Sequence, residues 1–400
     1  MYKKKYLKNF YIFIFILWYS TEIVFNTTLE TIVGVPVKTI NNVVNWLIFI
    51  LLIAQIVLFQ SYKKEELAII IGITLPIIIA TMLSGNRTVL SAWMLIVAMK
   101  NTDLDRIIHI AYRILLITIP MVIFFRIFGF IEDYTIMRGN LQRFSLGFAH
   151  PNQLGLRIFQ LILCNCYVNR DRLGILNYCY IILAIIFTIK VPNSQTAYIS
   201  LIVFLIFLLI YKYIENQKQI FMKLYTGSLL IGAVLLNIFS IILSFIDVNK
   251  YFILSQIDKW MAARFSWGHK VWQIYGTSFF GQRIYVYEEE VRLIGLTRRL
   301  WLDNAYLSLL LRYGILVFLI ISISYIFLMR KMIVQKQYVL VIILFLYALY
   351  GTMESGLYQI THNIFLIAFA VLFYHKANTN GMPYEEEEHI GSAKENELSG

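Results

Sequence analysis

Apolar runs of about 17 to 25 residues recur along nearly the whole chain, separated by short breaks rich in Lys, Arg, Asn or Gly. A run of that length carries a helix across a hydrocarbon core of roughly 30 Å, whereas barrel strands would be about ten residues long and alternating. A lipid-embedded backbone must satisfy its own hydrogen bonds, so the pattern admits a polytopic helical bundle. Of the 400 residues 59% are apolar and 14% charged, and a mean hydropathy of +0.69 excludes an ordinary soluble domain.

Hydropathy places candidate spans at 9–26, 42–60, 67–84, 88–100, 107–129, 154–168, 174–190, 195–211, 221–245, 304–328, 337–353 and 361–375. The expected fold is therefore all-α, with about twelve transmembrane helices. Basic residues of the short connections, among them Lys63, Lys64, Lys100, Arg170, Arg172, Lys218, Arg330 and Lys331, then share one side. The positive-inside rule makes that side cytoplasmic and puts both termini there. The lysine-rich start precedes a long apolar run without a small-residue cleavage site, so the first helix is expected to stay in the membrane.

Residues 1–376 form the expected transmembrane domain, with 246–303 as a long extracytoplasmic loop, and 377–400, with its run of four glutamates, reads as a disordered cytoplasmic tail. Cys164, Cys166 and Cys179 lie in apolar helices and read as buried small hydrophobes, with neither disulfide nor metal spacing. The net charge of +12 is spread over membrane-flanking loops, which points to anionic lipid and away from nucleic acid.

The long loop is rich in aromatics, and "KWMAARFSWGHKVWQIY" can be read as one amphipathic helix with Trp260, Ala263, Trp267, Val271, Ile274 and Tyr275 on its apolar face. Arg264 falls within that arc and needs a carboxylate, a carbonyl or a bound anion, unless its stem packs while its head reaches water. His269 sits at the edge of the polar face. In "RFSLGFAHPNQLG", Pro151 suits the first turn of the sixth helix, so His150 to Asn152 begin it, with free amides and a positive dipole end between Arg143 and Arg157. The same residues also read as a plain helix start with snorkelling arginines.

"RRLWLDNAYLSLLLRYGIL" repeats the pattern: Asp303 or Asn304 can cap a helix behind Arg298 and Arg299, and Arg312 lies roughly 12 Å further along it. Intramembrane arginine is a functional residue by default. Glu354 and His362 bracket a turn on the same side, where the carboxylate can neutralise an arginine or accept a proton. No P-loop, dinucleotide fingerprint or Asp-x-Asp pair occurs.

Together "RFSLGFAHPNQLG", "VPNSQTAYIS", "ARFSWGHKVW...FFGQ" and "LDNAYLSLLLRYGIL" resemble the marks of Wzy-type polysaccharide polymerases of the O-antigen ligase superfamily, from Arg143 to the last helix. Gln195 stands where relatives often have arginine, so no phosphate-binding role is carried there. The resemblance implies a glycosyltransferase of the GT-C type in the bacterial cytoplasmic membrane, acting at its outer face on undecaprenyl-diphosphate-linked oligosaccharide. A growing glycan would pass from one lipid to the non-reducing end of another repeat unit, with no metal and no cofactor, beside a flippase and a chain-length regulator of the same pathway.

On that reading arginines hold the diphosphate leaving group: Arg264 and Arg143 first, then Arg157 and Arg299, with Asn152, Asp303, Asn304 and Arg312 as further substrate contacts. His150, His269 or Glu354 would take the proton of the acceptor hydroxyl. A glycan ligase and a non-catalytic lipid-linked oligosaccharide flippase remain the rival readings.

Overall fold

Proline, glycine and capping residues cut the apolar sequence into helices at the places where the backbone needs them. The computed structural model describes residues 2–32, 34–292 and 299–374. The expected tail, 377–400, and Arg298 lie outside these residues. The helices are α1 (Tyr2–Val24), α2 (Val37–Leu58), α3 (Lys64–Ser84), α4 (Thr88–Ala98), α5 (Leu104–Ile127), α6 (Pro151–Val168), α7 (Ile175–Lys190), α8 (Gln195–Glu215) and α9 (Gln219–Phe245). After them come α10 (Phe252–Trp260), α11 (Arg264–Tyr275), a single turn α12 (Glu288–Val291), α13 (Ala305–Val334), α14 (Tyr338–Met353) and α15 (Ala370–Phe373). Two short ribbons complete the chain: β1 (Thr31–Ile32) with β2 (Val35–Pro36), and β3 (Thr135–Arg138) with β4 (Leu141–Phe144).

The protein is an all-α, membrane-embedded bundle. Among the described residues six helices (α2, α3, α5, α8, α9 and α13) are long and apolar enough to cross a membrane, and five further apolar helical stretches are shorter. The expected last span, 361–375, is only a 3-10 stretch (Ile364–Phe369) running into α15. The sequence from Ile364 to Phe373 is uniformly apolar, so hydropathy could not reveal the 3-10 geometry of this segment.

Helix α14 is apolar all round and buried along almost its entire length, as expected of a central helix. It packs on α6, α8, α9 and α13. On the rim, α2 turns Val43, Leu47, Ile50, Val57 and Leu58 outward, a distribution that only a lipid solvent makes stable. Cys164 and Cys166 are buried as expected, but Cys179 is exposed on α7.

Two glycines bring the long loop into the bundle. Gly314 breaks α13 with φ +82° and ψ +170°, and Gly281 has φ +98°. The amides freed by the break are satisfied from the loop: Ile315 N donates to Ser278 O (3.0 Å) and Leu316 N to Phe279 O (3.2 Å). In return Gln282 N donates to Arg312 O at 3.0 Å. Irregular backbone at this position is tolerated because its polar groups are paired within protein.

A Cβ on Gly314 would collide with Gly281 N and the Phe279 carbonyl, and one on Gly281 would lie 3.0 Å from Tyr313 Cα. Gly314→Ala is therefore expected to destabilise the protein by about 2 to 3 kcal/mol through strain and overpacking. A thermal melt in detergent indistinguishable from wild type would show that the break is not tight.

The long loop differs from expectation in its helices. Ala262 and Ala263 have φ of +59° and +60°, so the single amphipathic helix is two, α10 and α11. The break changes the phase: Trp260 is exposed, while Phe265, Gly268, His269 and Val271 are buried. Asp258 supplies the reason, because its carboxylate accepts from Phe265 N (2.8 Å) and Ser266 N (3.3 Å) and so caps α11 from the preceding helix.

Candidate active site

The helix start predicted at "HPN" is present: Pro151 opens α6 and His150 is its N-cap. The amides expected to be free are not. Asn152 N donates to His150 Nδ1 at 3.0 Å, and Gln153 N and Leu154 N turn back to the His150 carbonyl. With Nδ1 accepting, neutral His150 carries its proton on Nε2 and offers a donor, not a lone pair. Burial and the Arg143 charge push its pKa below the usual histidine range.

Arg143 lies on β4, which the ribbon folds back over α6, and it is buried. Its Nε donates to Pro192 O at 2.9 Å, and a terminal nitrogen donates to Asn152 Oδ1. These bonds join the ribbon, the α7–α8 turn and the start of α6. Phe144 N donating to Val191 O at 3.1 Å closes the same junction. Burial and the Arg138 charge lower the Arg143 pKa, and the Glu354 charge opposes them.

Arg264, the first residue of α11, meets Glu354 at the end of α14: a terminal nitrogen lies 3.2 Å from Glu354 Oε1. The other terminal nitrogen donates to Met261 O at 3.0 Å, while Nε is buried without a hydrogen-bond acceptor among the described residues. Thr196, in the first turn of α8, donates to the same Glu354 oxygen at 3.1 Å. Burial raises the Glu354 pKa above the ordinary carboxylate value, the Asp303 charge adds to that, and Arg264 and its hydrogen bonds oppose it. Asp303 is raised too, by burial, against the pull of Arg264 and Arg299. Arg299 itself stacks on Trp301, with its guanidinium carbon 4.0 Å from the ring centroid.

Arg143, His150, Asn152, Arg264, Arg299, Asp303 and Glu354 thus belong to one electrostatic neighbourhood at one end of the bundle. Thr196 joins them, although a lone threonine in the first turn of an apolar helix, next to Gln195, carries no signal of its own in the sequence. Gln195 instead donates to Trp260 O (3.4 Å) and ties α8 to α10. The arrangement offers a guanidinium with a spare, water-poor donor beside a carboxylate of elevated pKa. Such a pair can hold an anionic oxygen and receive a proton.

The other candidates have different surroundings. Arg157 is fully buried inside the bundle, donating to Gln160 Oε1 (2.8 Å) and Thr361 O (2.7 Å). His269 is packed in α11, its ring nitrogens 3.2 Å from Ser244 O and 3.0 Å from Gln273 Nε2. Arg312 donates to Ile284 O at 3.3 Å and staples the inserted loop to α13.

Of the two capping candidates it is Asn304 that caps α13, accepting from Leu307 N at 3.1 Å and donating to Ser240 Oγ at 2.6 Å. Asn304→Ala is expected to lower stability by about 2 kcal/mol, since it loses the cap and orphans a buried hydroxyl. Thermal unfolding in detergent measures this, and a change below about 0.5 kcal/mol would argue against the cap.

No protein-family model, curated protein or solved structure matches the chain.

Proposed function

We propose that the protein is a lipid-linked glycan polymerase of the Wzy type. It moves a growing glycan from undecaprenyl diphosphate to the non-reducing end of another lipid-linked repeat unit. On this reading it lies in the bacterial cytoplasmic membrane with about twelve crossings, including the shorter apolar helices, both termini cytoplasmic and the site outside. The sequence motifs supply the substrate class. The observation that carries the chemistry is the Arg264–Glu354 pair, with its unsatisfied guanidinium Nε and with Asp303, Thr196 and Arg143 beside it.

In the proposed step the Glu354 carboxylate takes the proton of the acceptor hydroxyl as that oxygen attacks the anomeric carbon of the donor sugar. The bond to the diphosphate oxygen breaks, and the electron pair leaves with undecaprenyl diphosphate. Arg264, and Arg143 through its fixed position, stabilise the negative charge that develops there. His150, neutral and presenting Nε2–H, contributes a hydrogen bond to the same anion or to a sugar hydroxyl.

Purified protein supplied only with undecaprenyl-diphosphate-linked repeat units should produce a ladder of glycan lengths on lipid. Transfer only to a second kind of acceptor would favour a ligase. Movement of the lipid-linked unit across a vesicle membrane without bond formation would favour a flippase.

A further inference from the structure

A cavity of about 600 Å³ opens at the same end of the bundle, between α1, α2, α4 and the 359–361 turn. None of its lining residues belongs to the Arg264–Glu354 cluster. It changes character with depth. Asn42 and Asn45 on the first turns of α2, Glu22 near the end of α1, and Arg87 and Thr88 at the start of α4 make the mouth polar. Ile48, Phe49 and Leu52 further along α2, with Leu95 of α4, make the deeper wall apolar. From Asn42 to Leu52 the helix descends about 15 Å, so both characters belong to one continuous wall.

Trp18 and Trp46 also line the cavity, and the Arg87 guanidinium sits 4.6 Å from the centroid of the Trp46 ring. Indole faces beside amide, carboxylate and guanidinium groups suit a ligand with apolar C–H faces and many hydroxyls. Glu22 and Arg87 bring opposite formal charges to the lining, so the cavity has no net charge that would select a purely anionic headgroup, while Arg87 can face the phosphate of a lipid-linked sugar.

Packed side chains lie between the cavity and the candidate active site. The carbonyl of Thr361, on its wall, is held by both Arg157 (2.7 Å) and Gln160 (2.8 Å). Arg157 is fully buried, its Nε and second terminal nitrogen are without acceptors among the described residues, and it feels the charge of Glu22. Tyr350 in turn lies within the electrostatic reach of Arg157, Arg264 and Glu354.

We infer that this cavity is a saccharide-binding site for a lipid-linked glycan, with the sugars at the polar mouth and the first part of the lipid chain along the apolar wall. That the sugar is a repeat unit of the polymer rests on the polymerase reading; that the cavity takes a hydroxyl-rich ligand does not. Arg157 is then a positioning residue, holding the Thr361 wall of this site between it and the ion pair.

The test uses full-length protein in nanodiscs and two probes, measured by thermophoresis: the repeat-unit oligosaccharide freed from lipid by mild acid, and undecaprenyl phosphate without sugar. Asn42→Leu and Trp46→Ala alter exposed positions on α2, so loss of folding is not expected of either. Each should weaken oligosaccharide binding about tenfold and leave undecaprenyl phosphate binding unchanged. In the polymerisation assay each should raise KM for the lipid-linked unit with kcat changing less than about twofold.

Oligosaccharide binding indifferent to both substitutions would overturn the inference, as would lost binding of the sugar-free lipid alone. If wild-type protein makes no polymer yet binds oligosaccharide in a manner sensitive to Asn42 and Trp46, the polymerase reading fails and the saccharide site stands.

Discussion

Replacing Arg264 by alanine is expected to reduce polymer formation about 100- to 1,000-fold, the usual cost of removing a donor that stabilises a developing oxyanion. Two observations make a large effect the expected one. The guanidinium has a buried nitrogen with no acceptor among the described residues, and it forms an ion pair with a carboxylate of elevated pKa. The substitution also leaves Glu354 without its counter-charge, so folding must be checked separately by size exclusion and thermal melting. Arg264→Lys separates charge from shape. It keeps a cation near Glu354 but loses the planar fork, so activity should be intermediate and stability close to wild type. Near-normal polymer from a folded Arg264→Ala protein would remove this residue from the reaction.

Glu354→Gln is expected to lower kcat about 100- to 10,000-fold, the range for loss of a general base. The side chain keeps its size and an oxygen for the Thr196 hydroxyl, so the protein should remain folded. The pH dependence carries the sharper information. A general base works deprotonated, so activity falls as pH drops through its pKa. Burial and Asp303 raise that pKa, so the acid limb of the wild-type profile should lie above the ordinary carboxylate range. Asp303→Asn removes one of the raising charges and should move the limb to lower pH. If Glu354 serves only as a structural mate for Arg264, the Asp303 substitution would leave the limb in place.

Local signals in the sequence proved reliable where the physics is local. The start of α6 follows from Pro151 and its preceding residue, and the start of α13 from an asparagine that caps within three residues. The six described helices that are long and apolar enough to span follow from hydropathy over whole segments. The interruption of the loop helix was not legible, because a phase calculation assumes an unbroken backbone. Nothing in "WMAAR" announces two alanines with positive φ, and the residue that stabilises the turn, Asp258, acts through a cap made from an adjoining helix.

The candidate site shows the same division. That Arg264 needs a counter-charge follows from its neighbours on the helix, but the carboxylate that answers it is 90 residues away. Arg143, Asn152 and Pro192 converge because a ribbon and a helix turn meet, which no periodicity encodes. Gly281 and Gly314 are each visible as glycines, yet their mutual contact exists only because the loop enters the break in α13. Likewise the partners of Arg157, His269 and Arg312, namely the Thr361, Ser244 and Ile284 carbonyls, lie 25 to 204 residues away and carry no local signal.

The most direct measurement of the proposed chemistry counts products in a purified system. Protein reconstituted with undecaprenyl-diphosphate-linked repeat units, without nucleotide and without a membrane gradient, should release one undecaprenyl diphosphate for each glycosidic bond formed. The released lipid and the polymer should both disappear in Arg264→Ala protein that is folded. Glycan that stays unextended, with no undecaprenyl diphosphate released by wild-type protein, would contradict a polymerase.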